Sequence, residues 1–511
     1  MGFVSILFPN GPIEELSPQT PLFKDLDLEP IFDAICQERP AYDLGEFYRM
    51  PLRQAEAVHY RQPVMRDVAG GGVEALEAFA AAMQAVQQLL AEAAHESDQN
   101  TAACRRLQAI SAYTAAASEL QAVLSVSVLH SAGLQLFRDA LADYCQQPVF
   151  ANMQQEAGEL SQMLADIHYT LCIAGSSIDV SRYAQEQDLD PMVSATFARF
   201  VQQPLHQNRV RPLAGKRLNH VEEAIVGQLA VLYPEVFQRL YEFCGQPLDF
   251  MPAWLLHFQR EIEFYLAFYH YMQGMKERGV GFCYPVVSDT VKEFFCVDGS
   301  DLALVQQLAE GKTAVKNSFS LQGKERSIVV TGPNQGGKTT FARMIGQLAY
   351  FASLGLPVAA VQAQVFLPEC IFTHFERQEQ EVSASGKLQD DIVRIHEILQ
   401  QATAGSLLII NEMFASTTLR DAIGLGRAVM QQVSAADMFC IYVTFLEELS
   451  AFDDKTISMV SEVAADGETR TYKIRRHPAD GKAYALSVAE RYHLRQEDVR
   501  RRLQDAGPSI I

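Results

Sequence analysis

The sequence predicts a multidomain protein in which an all-α region precedes an α/β domain. Three observations carry this. From about 73 to about 279 the signal is almost entirely helical, with apolar positions three or four apart. Beyond about 280 strand-like and helix-like runs alternate. Between an apolar run and a helical one, at 331–340, lies a glycine-rich turn. The 511 residues allow two to four folded units at roughly 100 to 200 residues each. With 48% hydrophobic and only 20% charged residues, the chain is no disordered protein.

Residues 1–50 carry Pro9, Pro12, Pro18, Pro21 and Pro30 and read as a loop-rich segment. Residues 51–279 read as a helical core-and-lever domain. Val73 to Leu90 is rich in Ala, Leu, Glu and Gln, strong helix formers. Similar patterns follow at 103–127, 130–146, 151–172, 218–243 and 253–275, and long helices packed on one another satisfy them. The α/β domain is placed at 280–490. Ser327-Ile328-Val329-Val330 leads into the glycine-rich turn, followed by a helical stretch at 340–354, an apolar run at 360–373, a helix at 386–402, a strand Leu407 to Ile410, a helix at 419–434 and a strand Phe439 to Val443. That alternation predicts a mostly parallel sheet covered on both faces. The last segment is placed at 491–511.

A formal charge of -20 opposes any grip on nucleic acid over most of the surface. The opening MGFVSILFPNGPIEEL lacks a basic start and is broken by Pro9 and Gly11, so no export signal is expected. No apolar run reaches the roughly 18 residues a membrane span needs. A soluble, cytoplasmic protein without membrane association is expected, and nine scattered Cys with no Cys-x-x-Cys pair read as buried thiols.

The turn Gly332-Pro333-Asn334-Gln335-Gly336-Gly337-Lys338-Thr339 fits G-x-x-x-x-G-K-[ST] between a strand and a helix. Glycines let backbone N–H groups turn inward around phosphates, a helix N-terminus adds partial positive charge, Lys338 adds a full one, and Thr339 offers a hydroxyl to Mg²⁺. ATP and Mg²⁺ are the implied ligands. The run Leu407-Leu408-Ile409-Ile410-Asn411-Glu412 reads as the second strand of such a site. Asn411 keeps an oxygen for the metal but lacks the charge of an Asp. Glu412 is the candidate to orient and deprotonate an attacking water.

The longer stretch Thr331 to Thr340 resembles the TGPN-x-GGK-[ST]-[ST] signature of the MutS family of DNA mismatch-repair ATPases. Other segments follow in that family's order: Val315-Lys316-Asn317-Ser318, Val358-Ala359-Ala360, Ile371-Phe372-Thr373, Ser385-Gly386-Lys387, Asn411-Glu412 with Ser416 to Ala422, Thr444-Phe445 with Glu448-Leu449, and Gly481 to Ala485. The resemblance covers about 280–505 and implies an ABC-type P-loop ATPase acting as a homodimer on DNA. On these positions it implies nucleotide contacts by Asn317 and by Gly332 through Thr340, metal contacts by Thr339 and Asn411, catalysis by Glu412 and Lys338, and an in-trans loop at Ser385 and Gly386. The departures are specific. Asn411 stands for the family's metal-holding Asp and Phe445 for its switch His, while Leu388 and Gln389 replace a Ser/Thr followed by aromatics. ATP binding is therefore expected, with slow hydrolysis. No mixed N-terminal domain of the mismatch-sensing kind is expected, since helices begin within about 75 residues.

The stretch 204–221 holds Arg209, Arg211, Lys216 and Arg217 and no acid, and is the candidate DNA contact if it forms a lever tip. A second cluster, residues 468–505, has ten Lys/Arg against six Asp/Glu; the terminal part, 491–511, resembles the family's small helical dimerisation cap, which implies a solvated helix face at that interface. The leading expectation is a homodimeric ATPase whose nucleotide state moves levers around branched, mismatched or duplex DNA. The alternative is a nucleotide-gated switch that binds a protein partner and has lost DNA recognition. An unrelated P-loop kinase is poorer, because no acceptor domain or lid follows the loop.

Overall fold

In the computed structural model the residues described here are 3–9, 20–37, 39–174, 177–184, 220–245, 250–376, 386–464, 469–479 and 496–505. They form two compact units. One comprises Met1–Phe3, Gly72–Leu129 and Gln135–Gln259, the other Val4–Gly71, His130–Leu134 and Arg260–Ile511.

The first unit is mainly helical. It contains α5 (Val73–His95) and α6 (Gln99–Val126), preceded in the chain by α1 (Thr20–Asp25), α2 (Leu28–Cys36), α3 (Gly45–Tyr48) and α4 (Ala55–Asp67), which belong to the other unit. Further on come α7 (Ala132–Cys145), α8 (Pro148–Ala165), α9 (His220–Leu232) and α10 (Pro234–Cys244), and then α11 (Ala253–Glu277), which from Arg260 onward belongs to the other unit. The Asp98 carboxylate caps α6 by accepting from the Thr101 amide at 2.7 Å, satisfying an amide that has no partner within the helix. A core of Leu107, Ile110, Ala157, Leu160, Leu229, Phe237 and Leu240 joins α6, α8, α9 and α10.

Helix was expected through 172, but α8 ends at Ala165 and the chain turns into the antiparallel hairpin β1 (Tyr169–Ala174) and β2 (Ser177–Arg182). The β-branched and aromatic residues of Tyr169-Thr170-Leu171-Cys172-Ile173 favour the pleated strand over a helical turn. Pro234, which cannot donate to the preceding turn, likewise breaks the expected helix at 218–243 into α9 and α10.

The second unit is built on two sheets. Its strands are β3 (Val286–Ser288), β4 (Phe294–Gly299), β5 (Asn317–Leu321), β6 (Ser327–Thr331), β7 (Gln362–Phe366), β8 (Cys370–Phe375), β9 (Ser406–Asn411), β10 (Phe439–Val443), β11 (Thr456–Val463) and β12 (Arg470–Arg476). Its helices include α12 (Leu302–Gln307), α13 (Lys338–Ser353), α14 (Lys387–Gln401), α15 (Leu419–Ala435) and α16 (Gln496–Asp505). The larger sheet runs β12-β11-β6-β10-β9-β8 and is parallel except for the β11/β12 pair. Its central strands β6 and β10 are buried throughout, which is why they read as unbroken apolar runs. The smaller sheet runs β3-β7-β4-β5.

Residues 1–50, expected to be loop-rich, contain α1, α2 and α3. The α1–α2 junction is fixed to the α/β unit. Arg343 of α13 donates to the Asp25 carbonyl at 3.0 Å, and Gln347 donates to that of Leu26 at 3.0 Å. The Asp25 carboxylate accepts from Thr373 at 2.7 Å and from Arg394 of α14 at 3.0 Å. Earlier still, residues 5–8 lie against α4 and α11. Arg61 donates to the Leu7 carbonyl at 2.9 Å, and Glu261 accepts from the Ser5 hydroxyl at 2.5 Å and the Ile6 amide at 2.8 Å.

Candidate functional site

The turn between β6 and α13 leaves the C-terminal end of a central parallel strand, where open α/β sheets place ligands. Gly332 and Gly337 have φ of 118° and 88°. At Gly332 a Cβ would lie 2.9 Å from Ser461 Cβ, and at Gly336 it would lie 2.3 Å from Ser461 Oγ and 3.0 Å from the Pro333 carbonyl oxygen. Only glycine lets the turn pass β11 so closely. The Ser461 hydroxyl in turn donates to the Gly336 carbonyl at 2.7 Å, fixing the turn from below. No side chain caps α13, so its first amide groups remain available to an anion.

A cavity of about 590 Å³ opens at this turn. Its lining includes Leu304, Leu308, Ala314 and Val315 together with Gln335 through Thr340, Glu412 and Tyr472. Lys338 is buried, and its ammonium donates to the carbonyls of Gly332 and Pro333, each at 3.0 Å. Burial lowers its pKa, Glu412 opposes that shift, and Arg470 adds to it. The carboxyl of Glu412 is shifted upward by burial, with Lys338 opposing and Glu376 reinforcing the shift. Glu412 has a φ of 56°, an uncommon value for a residue with a side chain.

Of the residues singled out in the sequence, Asn317, Gln335, Gly336, Gly337, Lys338, Thr339, Thr340 and Glu412 line this one cavity. Gly332 and Pro333 stand outside its lining and meet it through Lys338, and Asn334 is exposed on the turn. Asn411 reaches it through Thr339, whose hydroxyl donates to Asn411 Oδ1 at 3.0 Å. Asn317 spends its carboxamide on β12, donating to the Tyr472 carbonyl at 3.0 Å and accepting from the Ile474 amide at 2.9 Å. It holds two walls of the cavity together.

Gly386 lies at the head of α14 with a φ of 92° and does not line the cavity. Ser385 and the candidate DNA contacts Arg209, Arg211, Lys216 and Arg217 fall outside the described residues, as does 481–485. In the second basic cluster, the cations of β12 are engaged locally. Arg475 pairs with Glu462 at 3.5 Å, Arg476 with Glu325, and Lys473 donates to the Lys316 carbonyl. Arg500, Arg501 and Arg502 are exposed on α16.

Sequence reasoning missed Leu304, Leu308, Lys312 and Tyr472. The leucines had a faint signal, a pair four residues apart running off the end of α12. Tyr472 had none. It sits at a φ of 57° on an edge strand and faces Gly337, remote in the chain, where an added Cβ would stand 3.6 Å from the tyrosine's own.

Residues 328–504 match MutS domain V. The endonuclease MutS2 of Thermus thermophilus is 28% identical over 193 residues, 37% of this chain and 26% of that protein. The DNA mismatch repair protein Msh2 of Dictyostelium discoideum is 26% identical over 191 residues, 36% of this chain and 20% of that one. The DNA mismatch repair protein MutS of Streptococcus equi is 29% identical over 200 residues, 38% of this chain and 23% of that one. The alignments thus span about a quarter of these relatives or less. No helix among the described residues is long and apolar enough to cross a membrane. The similarity to MutS proteins is thus carried by residues 328–504, the part that matches domain V.

Proposed function

We propose that this chain binds ATP in the cavity at Gln335–Thr340, hydrolyses it slowly, and as a homodimer couples nucleotide state to movement of its helices and to DNA binding, in mismatch repair or a related DNA transaction. The observation that carries the reading is the cavity itself. Apolar lining from Leu304, Leu308 and Val315 suits a nucleobase, and a glycine-rich turn with Lys338 and an uncapped helix N-terminus suits phosphates. These residues fit a nucleoside triphosphate.

When bound, ATP supplies the phosphoanhydride to be cleaved and Mg²⁺ shields its charge. The chain's own contributions are distinct. Lys338, with two of its three N–H groups donated to loop carbonyls, has the third for a phosphate oxygen. Thr339 and Asn411 present oxygens on the side where a metal would sit, with no carboxylate between them. Glu412 orients a water and takes its proton on a carboxylate oxygen. Ser385 and Gly386 are assigned to the partner's site, and Arg209, Arg211, Lys216 and Arg217 to the DNA backbone. On this reading the ATPase domain is 280–490 and 491–511 is its dimerisation cap.

The test is a mobility-shift titration over branched, mismatched and plain duplexes with and without ATP. Nucleotide-dependent retention supports the proposal. Absence of binding at low salt in every nucleotide state removes the DNA half. A second reading, a nucleotide-gated switch for a protein partner, is favoured by the charge of -20 together with Asn411 and Phe445. It predicts a nucleotide-dependent partner and no DNA affinity.

A further inference from the structure

We propose that Phe445 is a positioning residue for Lys338, its ring face holding the ammonium in the seat from which it meets a phosphate. The inference rests on the nucleotide reading above and deepens it. Lys338 Nζ stands 4.4 Å from the Phe445 ring centroid, inside the roughly 6 Å range of a cation–π contact. Two N–H groups of the same ammonium go to the Gly332 and Pro333 carbonyls. The ring and the two carbonyls all bear on the same nitrogen, and one of its three N–H groups is not committed to a carbonyl. Lys338 lines the cavity and Phe445 does not. The ring thus acts on the cavity through the ammonium.

The backbone around Phe445 is anchored. Thr444 donates its amide to the Val330 carbonyl at 3.1 Å, and its hydroxyl accepts from the Leu446 amide at 3.1 Å. Thr444 and Leu446 are buried, while Phe445 is 46% exposed. The ring is presented by a rigid corner and is not held in place by a core of its own, so its replacement leaves the fold intact. The other charged groups bearing on the ammonium are Glu412 and Arg470. Both pull or push it by charge, and Glu412 titrates. The ring exerts its attraction without titrating, so this part of the hold is unchanged between pH 5.5 and 8, where an imidazole in its place would change charge.

The experiment compares wild-type protein with Phe445→Leu and Phe445→Trp. Ligand-free protein is treated with an amine-acylating reagent, and modification at Lys338 is followed by mass spectrometry. Affinities for ATP, ADP and adenosine are measured by calorimetry. Phe445→Leu is expected to speed acylation of Lys338 and to weaken ATP and ADP by about three- to tenfold, with adenosine unchanged. Phe445→Trp, with the stronger ring face, should match or exceed wild type in nucleotide affinity. Unchanged acylation in Phe445→Leu overturns the proposal whatever binds. So does ATP affinity equal to wild type, or an equal loss for adenosine, which would mark a collapsed cavity. Faster acylation in a protein that binds no nucleotide at all upholds the contact and overturns the nucleotide reading.

Discussion

The Thr339 hydroxyl donates to Asn411 Oδ1 at 3.0 Å, joining the first turn of α13 to the C-terminal end of β9. An aspartate could accept the same bond and would add a negative charge. Asn411→Asp should preserve the fold and lower the Mg²⁺ concentration giving half-maximal ATP hydrolysis by roughly tenfold. A magnesium titration of turnover measures this. An unchanged midpoint would remove Asn411 from the metal's surroundings.

Glu412→Gln should leave ATP affinity within about twofold and reduce turnover by about a hundredfold or more. Burial raises the carboxyl's pKa, and the base works only when deprotonated. Wild-type turnover should therefore fall, on acidification, at a pH above that of an ordinary glutamate. Parallel loss of binding and turnover in the variant would make Glu412 structural.

Gly336→Ala would set a Cβ 2.3 Å from Ser461 Oγ and 3.0 Å from the Pro333 carbonyl oxygen. Thermal denaturation should show a loss of about 1–3 kcal/mol, and ATP affinity should fall because the turn is displaced. Adding Ser461→Ala should recover only part of both, since the backbone carbonyl remains in the way.

Arg61 is fully buried, donates to the Leu7 and Leu354 carbonyls, and stands 4.8 Å from the Phe8 ring centroid. Arg61→Met removes the donors and leaves two buried carbonyls unsatisfied, which should cost about 2–5 kcal/mol. Limited proteolysis should then cut near residues 4–8 in the variant before it does so in the wild type.

Asp437 accepts from Lys292 at 3.0 Å and from Lys455 at 2.8 Å and lies 3.2 Å from Arg326, and these cations hold its carboxyl well below the usual range despite partial burial. A depressed carboxylate stabilises the fold above its unfolded pKa, and the contribution disappears as pH falls through the folded value. Asp437→Asn should lower the melting temperature at pH 7, and the gap to wild type should narrow progressively below about pH 4. A gap that does not change with pH would mean the carboxylate's charge plays no part.

The strand and helix positions between about 327 and 443 were legible because their signals are local. The apolar runs at 327–330, 407–410 and 439–443 became β6, β9 and β10, and the glycine-rich turn's residues from Gln335 to Thr340 line a cavity. Glycine spacing and an unbroken apolar strand depend on backbone conformation and burial, both written in consecutive residues. The hairpin at Tyr169–Arg182 was not legible. Its residues alternate too weakly to outweigh the helical stretch before them, and its strands are stabilised by each other.

By itself the sequence determined a helical region followed by an α/β domain, the glycine-rich turn between a strand and a helix, and the residue identities at Asn411 and Phe445. The tertiary structure alone decided that Asn317 ties β5 to β12, that Tyr472 faces the turn, that residues 20–36 are bound to α13 and α14, and that Phe445 lies against the Lys338 ammonium. The division follows from range. Backbone propensity and burial pattern act over a few neighbouring residues, whereas these contacts join positions more than a hundred residues apart and exist only once the sheet has brought its strand ends together.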